Sequence, residues 1–405
     1  MESLEHHRLL SAAENYKADL LTFLQDLVRI PSVNGRNTEK EVAERILREA
    51  QRWGLPAHLA AKNVERPNAL VTLGRGDKRF ALIGHMDTVA EGKPEDWTYP
   101  PFSASVKNGM LFGRGAADNK AGIACGLYTL VLLQKEGLLD PEHYQVVLAG
   151  VVDEESGASS DLGVRYLLDS NQLRADGAIY TYTSNFICIG HRGLLRIEIE
   201  THGTSFHAGL VEWNNQRLGD NAVTGLAEIL LELEKLRLPF PQKEGFKQLG
   251  CTITPGTQIS GGDYPSIVPN HAAAIVDIRL MPGQDAGEVL QAIDEVMNKV
   301  CQRRSGLKAE KKVVVNFPGA AISPSHPLVT TAQDITEIYT GKRWEAKGAG
   351  PGNEGYMLIG AGIPTLCGFG PYGGNPHAPD EWVEIESLAR TTAMYTAILC
   401  KYLTI

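Results

Sequence analysis

Three short segments between residues 84 and 157 place imidazole or carboxylate side chains at the ends of apolar runs. Short apolar runs of this kind are typical of buried strands, and ligands of α/β sheets collect at the carboxyl ends of strands. One imidazole and several carboxylates gathered at such ends would suit a cation of the zinc type, which accepts nitrogen and oxygen ligands. In chain order these side chains are His85, Asp87, Asp118, Asp153, Glu154 and Glu155.

His85 and Asp87 are separated by one residue, so they point the same way on a strand and diverge at a strand end. One of them could bind a metal while the other holds it in place, since a carboxylate that accepts an imidazole N–H fixes the tautomer and raises the basicity of the ring. The alternative is a strand end followed by an Asp turn. For this pair alone, the sequence favours neither interpretation.

Asp118 lies in a glycine-rich segment, Gly113–Gly122, directly before a predicted helix. The simplest interpretation is a helix N-cap, a position that Asp fills well. A carboxylate there could also bridge two cations through its two oxygens. A cap alone would not require the glycines on either side, so both interpretations stay open.

Three adjacent carboxylates, at residues 153–155, follow a strongly apolar predicted strand. Such a group near a core is electrostatically unfavourable unless cations or shared protons relieve it. A functional role therefore explains these residues better than a solvated charge run. One glutamate can bind metal while its neighbour, with a raised pKa, moves protons.

The same motifs, joined by a late histidine, resemble the M20 family of zinc aminopeptidases and deacylases. Within that family they are most similar to the branch of acetylornithine deacetylase and succinyl-diaminopimelate desuccinylase. The resemblance covers nearly the whole chain, with the motifs in the family's order. The motifs are His85-x-Asp87, Gly113-Arg114-Gly115 with Asp118, Asp153-Glu154-Glu155-x-Gly157, and His377 before Pro379-Asp380-Glu381.

The resemblance implies a two-metal site in which the cations share Asp118. Glu155 and His377 would complete one half of the site, and His85 would belong to the other half. The expected cofactor is Zn²⁺, or Mn²⁺ or Co²⁺ in its place, at one or two ions per chain.

The resemblance also implies catalytic roles for Asp87 and Glu154. Asp87 would orient the metal-binding histidine, and Glu154 would be the general base that takes a proton from the attacking water and hands it to the leaving amine. A metal-dependent hydrolase of this kind lowers the pKa of its bound water to about 7.

The chain departs from the family pattern at Tyr182. The family carries Glu or Asp, usually followed by Pro, shortly after the Ala-Asp-Gly-Ala-Ile turn at residues 175–179, and by register Tyr182 stands at that position. A phenol with a pKa near 10 is a poorer ligand than a carboxylate, although a cation can lower that pKa. We therefore predict that the His85 half of the site is weak, labile or empty, or that Tyr182 binds as phenolate.

At 405 residues the chain is expected to form two domains. Alternating strands and helices predict an α/β catalytic domain, with a mainly parallel sheet covered by helices, from residues 1–189 and 313–405. Residues 190–312 carry a smaller α+β pattern. We interpret them as an inserted ferredoxin-like domain, which by the resemblance would serve as a dimerisation or lid domain.

Four further residues are assigned roles through the resemblance. His207, in Gly203–Gly209, matches a histidine that stabilises the oxyanion in a partner's active site. Asn221 and Arg279 match positions that hold the substrate carboxylate or the oxyanion, and Arg is well suited to bidentate carboxylate recognition. Asn353 is in a segment predicted to line the substrate pocket. Without the resemblance, His207 would be read as a loop histidine and Arg279 as a surface charge.

Composition narrows the classes of partner. A net charge of −9, with no long Lys/Arg run, disfavours nucleic acid and anionic membrane as partners, so we expect a small-molecule substrate. The six cysteines are scattered without a Cys-x-x-Cys pair, as is typical of a reducing cytosol. The sequence contains neither a signal peptide pattern nor a membrane-length apolar stretch, and we expect a cytoplasmic protein.

These observations together predict a metal-dependent amidohydrolase of amino-acid metabolism, acting as an N-acyl amino acid deacylase. We expect a homodimer built through residues 190–312, or a higher homo-oligomer. One alternative is a hydrolase of the same family that acts on an unusual substrate, such as an amino-aromatic acid, at a mononuclear site. A second alternative is a binding protein that kept the fold without catalysis.

Overall fold

The computed structural model describes residues 2–214 and 220–404. The chain divides into two compact units. The first unit contains the chain up to Gly190, then Ala321–Ala349, and then the chain from Asn353 onward, whereas the second contains His191–Ala320 and Gly350–Gly352. In the described part of the chain, every helix is too short or too polar to span a membrane.

Eleven α-helices occur in the described ranges. They are α1 (Glu2–Asn15), α2 (Lys17–Arg29), α3 (Lys40–Arg52), α4 (Ala121–Glu136), α5 (Val164–Asp169), α6 (Val211–Asn214), α7 (Ala222–Lys235), α8 (Ala286–Arg303), α9 (Pro327–Thr340), α10 (Gly355–Gly360) and α11 (Ile385–Leu403). Shorter helical turns lie at Pro94–Asp96, Ala116–Lys120 and Glu154–Ser156.

The strands occur singly or in consecutive groups between these helices. They are β1 (Ala57–Ala60), β2 (Asn68–Gly74), β3 (Lys78–His85), β4 (Ser105–Lys107), β5 (Met110–Phe112), β6 (Tyr144–Val151), β7 (Gly177–Tyr180), β8 (Ile187–His191), β9 (Gly193–His202), β10 (Thr252–Gly261), β11 (His271–Leu280), β12 (Lys308–Phe317), β13 (Ala320–Ala321), β14 (Ala346–Ala349), β15 (Thr365–Leu366), β16 (Gly373–Gly374) and β17 (Trp382–Glu384).

A six-stranded sheet in the order β1-β2-β6-β3-β7-β15 forms the centre of the first unit. Its pairs from β6 to β15 are parallel, whereas both pairs made by β2 are antiparallel. The sheet predicted as mainly parallel is therefore a mixed sheet in which β2 runs against the other strands. β3 and β6 are almost continuously apolar because they are covered on both faces.

Helix α4 is buried along nearly its whole length and packs against β3, β6 and α11. A helix that is apolar all round suits this interior position between the sheet and an outer helix. The register of β3 and β6 pairs His85 with Val151, so the residues that follow the two strands lie side by side at the carboxyl ends of these strands. The sequence predicted the site at these strand ends.

A small antiparallel sheet in the order β16-β17-β5-β4 joins two distant parts of the chain. β17 pairs with β5 so that Val383 lies opposite Leu111, and the backbone N–H of Gly113 donates to the carbonyl of Glu381. This pairing holds the segment before α4 beside the segment that follows His377. The C-terminal part of the chain is thereby fixed next to the glycine-rich segment that contains Asp118.

Apart from the short helix α6, which follows β9, the second unit has the element order β9-α7-β10-β11-α8-β12. Its four-stranded sheet, in the order β10-β11-β9-β12, is antiparallel throughout, which is the arrangement of a ferredoxin-like fold. Buried and partly exposed residues alternate along β9 and β11 because α7 and α8 cover one face of the sheet.

The predicted boundary at 312/313 is wrong, because it cuts β12. Residues 313–317 continue to pair with β9 as far as Phe317, which lies opposite Leu194. The apolar residues that begin at Val313 suggested a return to the first domain, but they are the second half of an edge strand. The unit therefore ends at Ala320, and Gly350–Gly352 also belong to it.

Candidate metal centre

Four stretches of the first unit bring polar side chains to one place. His85 is the last residue of β3, and glutamates 154–155 follow β6 after a turn at Asp153, whose φ of 65° is left-handed. Asp118 lies in the helical turn before α4, and His377 lies in the loop between β16 and β17. The predicted site residues gathered here are His85, Asp87, Asp118, Glu154, Glu155 and His377.

The carboxylate of Asp118 lies between two imidazoles. Its Oδ1 is 2.9 Å from Nε2 of His85, and its Oδ2 is 3.5 Å from Nε2 of His377. Nε2 of His377 is also 3.2 Å from Oε1 of Glu155. Asp118 therefore contacts both imidazoles, and its predicted role as a bridge between two cations stays a prediction.

Asp87 is fully buried and organises the floor of the site. Nδ1 of His85 is 3.0 Å from the backbone oxygen of Asp87 and 3.5 Å from its Oδ1. The two carboxylate oxygens of Asp87 accept the backbone N–H groups of Glu154 and Glu155, at 3.2 and 3.0 Å. Asn34 donates to the same carboxylate at 2.7 Å. One buried carboxylate thus positions a histidine and both glutamates.

Glu381 supports the other side of the site. It is fully buried, and its Oε1 accepts the backbone N–H groups of Ala117 and Asp118 at 2.8 and 2.9 Å. Its Oε2 accepts the N–H of Gly115 at 3.1 Å and the guanidinium of Arg114 at 2.6 Å. The turn that presents Asp118 is therefore held from beneath by a single side chain.

The sequence motifs gave no roles to Asn34 and Glu381. Asn34 lies in the loop after α2, and only the fold brings it to Asp87. Glu381 carried a signal, because it stands four residues after His377 in the same motif, His377-x-Pro379-Asp380-Glu381. An acidic residue that follows an apolar-flanked ligand so closely is a reasonable candidate for outer support of a metal site.

The electrostatics of the site follow from burial and crowded carboxylates. Burial raises the pKa of Glu154 well above its ordinary value, and the nearby carboxylates add to this effect against the charge of His85. Burial also opposes charge on His85 and Asp118, but several contacts together outweigh it. Hydrogen bonds to Asp118 and Asp87 raise the pKa of His85, and hydrogen bonds to His377 and His85 lower the pKa of Asp118. Hydrogen bonds to Asp118 and Glu155 raise the pKa of His377 to about 10.

Tyr182 lies beside His85, where its position in the sequence had placed it. The two ring centroids are 5.5 Å apart at an interplanar angle of 46°. Burial, followed by the charges of Glu154 and Asp118, raises the pKa of the Tyr182 phenol well above its ordinary value. The phenol is therefore neutral unless a cation withdraws its proton, so both predicted alternatives, a weak His85 half and a phenolate ligand, stay open.

A second buried acid, Glu354, supports the tyrosines. Its Oε2 accepts the hydroxyl of Tyr180 at 3.1 Å, and the ring of Tyr180 stacks on that of Tyr182 at 5.2 Å. Burial, followed by the charge of Asp87, raises the pKa of Glu354 to about 8. Neighbouring Asn353 donates its side-chain amide to a backbone carbonyl at 2.6 Å and accepts a backbone N–H at 2.9 Å, so it fixes the turn before α10.

The other three predicted residues lie in the second unit, whereas the candidate ligands lie in the first. His207 is exposed, and its Nδ1 accepts the backbone N–H of Gly209 at 3.0 Å. Asn221 is the N-cap of α7, and its side-chain oxygen accepts a backbone N–H at 3.2 Å. Arg279 pairs with Asp277 on the same strand at 2.8 Å. These contacts give each residue a local structural role, and their substrate roles stay predictions.

The donor set fits a divalent cation. His85, Glu154 and Glu155 form one group, and Asp118, Glu155 and His377 form another, with the ligand atoms of each group within 4.8 Å of one another. Glu155 belongs to both groups, and Asp118 contacts both histidines, so the arrangement suits neighbouring cations. Mixed imidazole and carboxylate donors are those that zinc-type cations accept.

Comparisons with known proteins agree with this geometry. Residues 81–401 match the sequence model of "Peptidase family M20/M25/M40". The uncharacterized protein YgeY of Escherichia coli strain K12 is 28% identical over 98% of this chain and 97% of its own length. A probable succinyl-diaminopimelate desuccinylase of Staphylococcus aureus strain MSSA476 is 25% identical over 95% of this chain and 97% of its own length.

A solved structure shares the fold. The M20 family metallo-carboxypeptidase Sso-CP2 of Sulfolobus solfataricus superimposes with a TM-score of 0.76 at 21% identity, covering 95% of this chain and 99% of that one. The family model that matches residues 81–401 confirms the family resemblance inferred from the motifs. With its cluster of imidazole and carboxylate donors, the chain belongs to peptidase family M20 and is a metal-dependent hydrolase.

Proposed function

We propose that this enzyme hydrolyses the amide bond of an N-acyl amino acid, a small substrate that carries a carboxylate. The observation that carries the proposal is the placement of the Asp118 carboxylate between His85 and His377. Buried Glu154 lies in the same cluster of donors. The similarity to a probable desuccinylase, an enzyme named for removing an acyl group, supports this substrate class.

The residues present could hold one or two cations, for which we propose Zn²⁺, or Mn²⁺ or Co²⁺. Asp118, Glu155 and His377 would hold the first cation, and His85 would hold a second, weaker one that shares Asp118. A bound divalent cation supplies Lewis acidity, which polarises a carbonyl oxygen and lowers the pKa of a coordinated water.

Glu154 is the proposed general base. Its burial and raised pKa suit a group that takes a proton from the attacking water and returns it to the leaving amine nitrogen. Asp87 orients His85 through Nδ1 and holds the backbone of Glu154 and Glu155. Both of these Asp87 roles use contacts that are already formed in the structure.

We propose that the second unit is a dimerisation and lid domain of a homodimer. His207 would stabilise the oxyanion, Asn221 and Arg279 would bind the substrate carboxylate or the oxyanion, and Asn353 would line the pocket. The exposure of His207 leaves it accessible for such a role. His207→Ala should lower kcat strongly without changing metal content, and an unchanged kcat would exclude the role.

The test is a substrate panel assayed with added Zn²⁺, Mn²⁺ or Co²⁺. It contains N-acyl amino acids, dipeptides and amino-aromatic acids, and Glu154→Gln serves as the matched inactive control. We expect hydrolysis of N-acyl amino acids that is lost in Glu154→Gln. Hydrolysis of dipeptides alone would show that the enzyme is a peptidase and not a deacylase. Inactivity on the whole panel, combined with tight ligand binding, would favour a binding protein.

A second candidate function rests on Tyr182. A neutral phenol beside His85, where the family pattern leads us to expect a carboxylate, favours a mononuclear site with altered chemistry on an amino-aromatic acid. The same panel separates the two functions. Turnover of amino-aromatic acids with one bound metal per chain, and none of N-acyl amino acids, would favour the second candidate.

A further inference from the structure

A second group of imidazole and carboxylate side chains lies on the exposed face of the sheet in the second unit. His202 on β9 lies directly opposite His271 on β11, with ring centroids 5.2 Å apart. Glu200 lies two residues before His202 and therefore on the same face. Glu310 on β12 lies directly opposite Glu200. Three neighbouring strands thus contribute to one cluster.

The side-chain atoms of this cluster converge. Oε2 of Glu200 is 3.2 Å from Nε2 of His271 and 3.9 Å from Nε2 of His202. Oε1 of Glu310 is 3.7 Å from Nε2 of His202. The ligand atoms of Glu200, His202 and His271 all lie within 4.8 Å of one another. These atoms approach each other as donors around a common point would.

The charge pattern of the sheet singles out this position. Glu200 and Glu310 are directly opposite on adjacent strands, and like charges in that relation are destabilising. Two residues earlier on β9, Glu198 lies opposite Lys312, which is a complementary pair. The unfavourable pair of glutamates therefore occurs beside the two histidines, where a cation would relieve it.

We propose that Glu200, His202 and His271 bind a divalent transition-metal cation of the zinc type, with Glu310 as a fourth ligand. Imidazole nitrogen and carboxylate oxygen are suitable donors for such a cation. Ligand atoms of a tetrahedral zinc site are about 3.3 Å apart, given bond lengths of about 2.0 Å. The side chains are 40% to 76% exposed, so they can rotate the short remaining distance.

The proposed site is separate from the candidate metal centre, because its four residues belong to the second unit. The bound cation would connect β11, β9 and β12. Along the chain, β9 is the first and β12 the last of the four strands in this sheet, so the cation would link the beginning of the unit's chain to its end. Its expected effect is to stabilise the second unit, since a ligand that binds only the folded state raises stability.

The test uses untagged full-length protein in which Asp118→Asn and Glu155→Gln silence the candidate metal centre. After chelation and desalting, Zn²⁺ binding is measured by calorimetry, and Co²⁺ binding by visible absorption. We expect about one Zn²⁺ per chain. Adding His202→Ala and His271→Ala should weaken this binding at least tenfold and abolish the Co²⁺ absorption bands.

Matched variants separate specific ligands from surface charge. Glu200→Gln should weaken binding, whereas Glu198→Gln, on the same strand and face, should leave it unchanged. His202→Ala and His271→Ala in the otherwise natural chain should retain hydrolytic activity, because neither residue belongs to the catalytic centre. The proposal is overturned if the silenced protein binds no Zn²⁺, or if the histidine variants bind it as tightly as their parent.

Discussion

Glu381 offers the sharpest test of how the site is held together. Its buried carboxylate accepts one guanidinium and three backbone N–H groups, among them that of Asp118, the proposed bridging ligand. Glu381→Ala would remove all four acceptor contacts at once. It would leave the guanidinium of Arg114, which is 2% exposed, buried without its carboxylate partner.

The expected loss is large. Removing one member of a buried ion pair costs about 3–5 kcal/mol. Glu381→Gln keeps the shape of the side chain and one acceptor oxygen, but its NH2 group faces N–H donors. We expect this to lower the free energy of unfolding by about 1–3 kcal/mol. In both variants the turn that presents Asp118 loosens, and loss of such outer support lowers metal affinity about 10- to 100-fold.

Urea unfolding of metal-stripped protein, followed by tryptophan fluorescence, would measure the stability term. Of the five tryptophans, only Trp213 lies in the second unit, so the signal reports mainly on the first. Calorimetric metal titration would measure the affinity term. Glu384→Ala is the matched control, because Glu384 forms a partly exposed ion pair with Arg390 at 3.4 Å and should cost less than about 1 kcal/mol.

One result would refute the reasoning: Glu381→Ala protein whose free energy of unfolding lies within about 1 kcal/mol of the parent's, as expected for the Glu384→Ala control, and which binds metal as tightly as the parent. If Glu381→Ala does not fold, Glu381→Gln supplies both measurements. A Glu381→Gln variant that loses stability but keeps full metal affinity would show that the carboxylate supports the core and not the ligand turn.

Three further predictions concern the site itself. Glu154→Gln should lower kcat by about 10²–10⁴-fold, the usual contribution of a general base, while metal content by mass spectrometry stays the same; a loss under tenfold would contradict the role. Wild-type protein should hold one cation tightly and a second weakly, with Tyr182→Phe changing neither; two tightly held cations per chain in both proteins would contradict a weak His85 half. The pKa of His377 is raised from 6.5 to about 10, so in metal-stripped protein its protonated form stabilises the fold fully below pH 6.5, and this contribution is lost as the pH rises to about 10. Metal binding at pH 8 should therefore release a proton, which calorimetry in buffers of different ionisation enthalpy would detect, and a buffer-independent enthalpy would contradict it.

The sequence was sufficient to predict those site residues that directly follow predicted strands. His85 and the glutamates 154–155 each come directly after an apolar run, and the parallel pairing of β3 and β6 makes that local pattern a spatial one. For Asp118 the sequence left two interpretations open, a helix N-cap and a bridge between two cations. Its contacts with both imidazoles support the bridge. The length of the chain predicted two units, and the α+β pattern of residues 190–312 predicted the ferredoxin-like order of the second.

The sequence does not predict contacts that depend on tertiary packing. Asn34 reaches Asp87 through a loop with no periodic pattern, and Glu381 reaches the Asp118 turn only because β17 pairs with β5. The error at the 312/313 boundary has a similar cause, since hydrogen bonds to β9 extend the edge strand β12 to Phe317. The reversed direction of β2 also follows from pairing, and its composition alone does not reveal it.

The discontinuity of the first unit sets an order for its assembly during synthesis. His85, Asp118 and Glu155 precede the inserted unit in the chain, whereas His377 follows it. Domains generally fold as units, with N-terminal parts first as the chain emerges from the ribosome. The inserted unit can thus fold while the first unit still lacks strand β15 of its central sheet and helix α11. The cluster around Asp118 is complete only after nearly the whole polypeptide has been made, so the full set of candidate ligands becomes available to a metal only late in the synthesis of this enzyme.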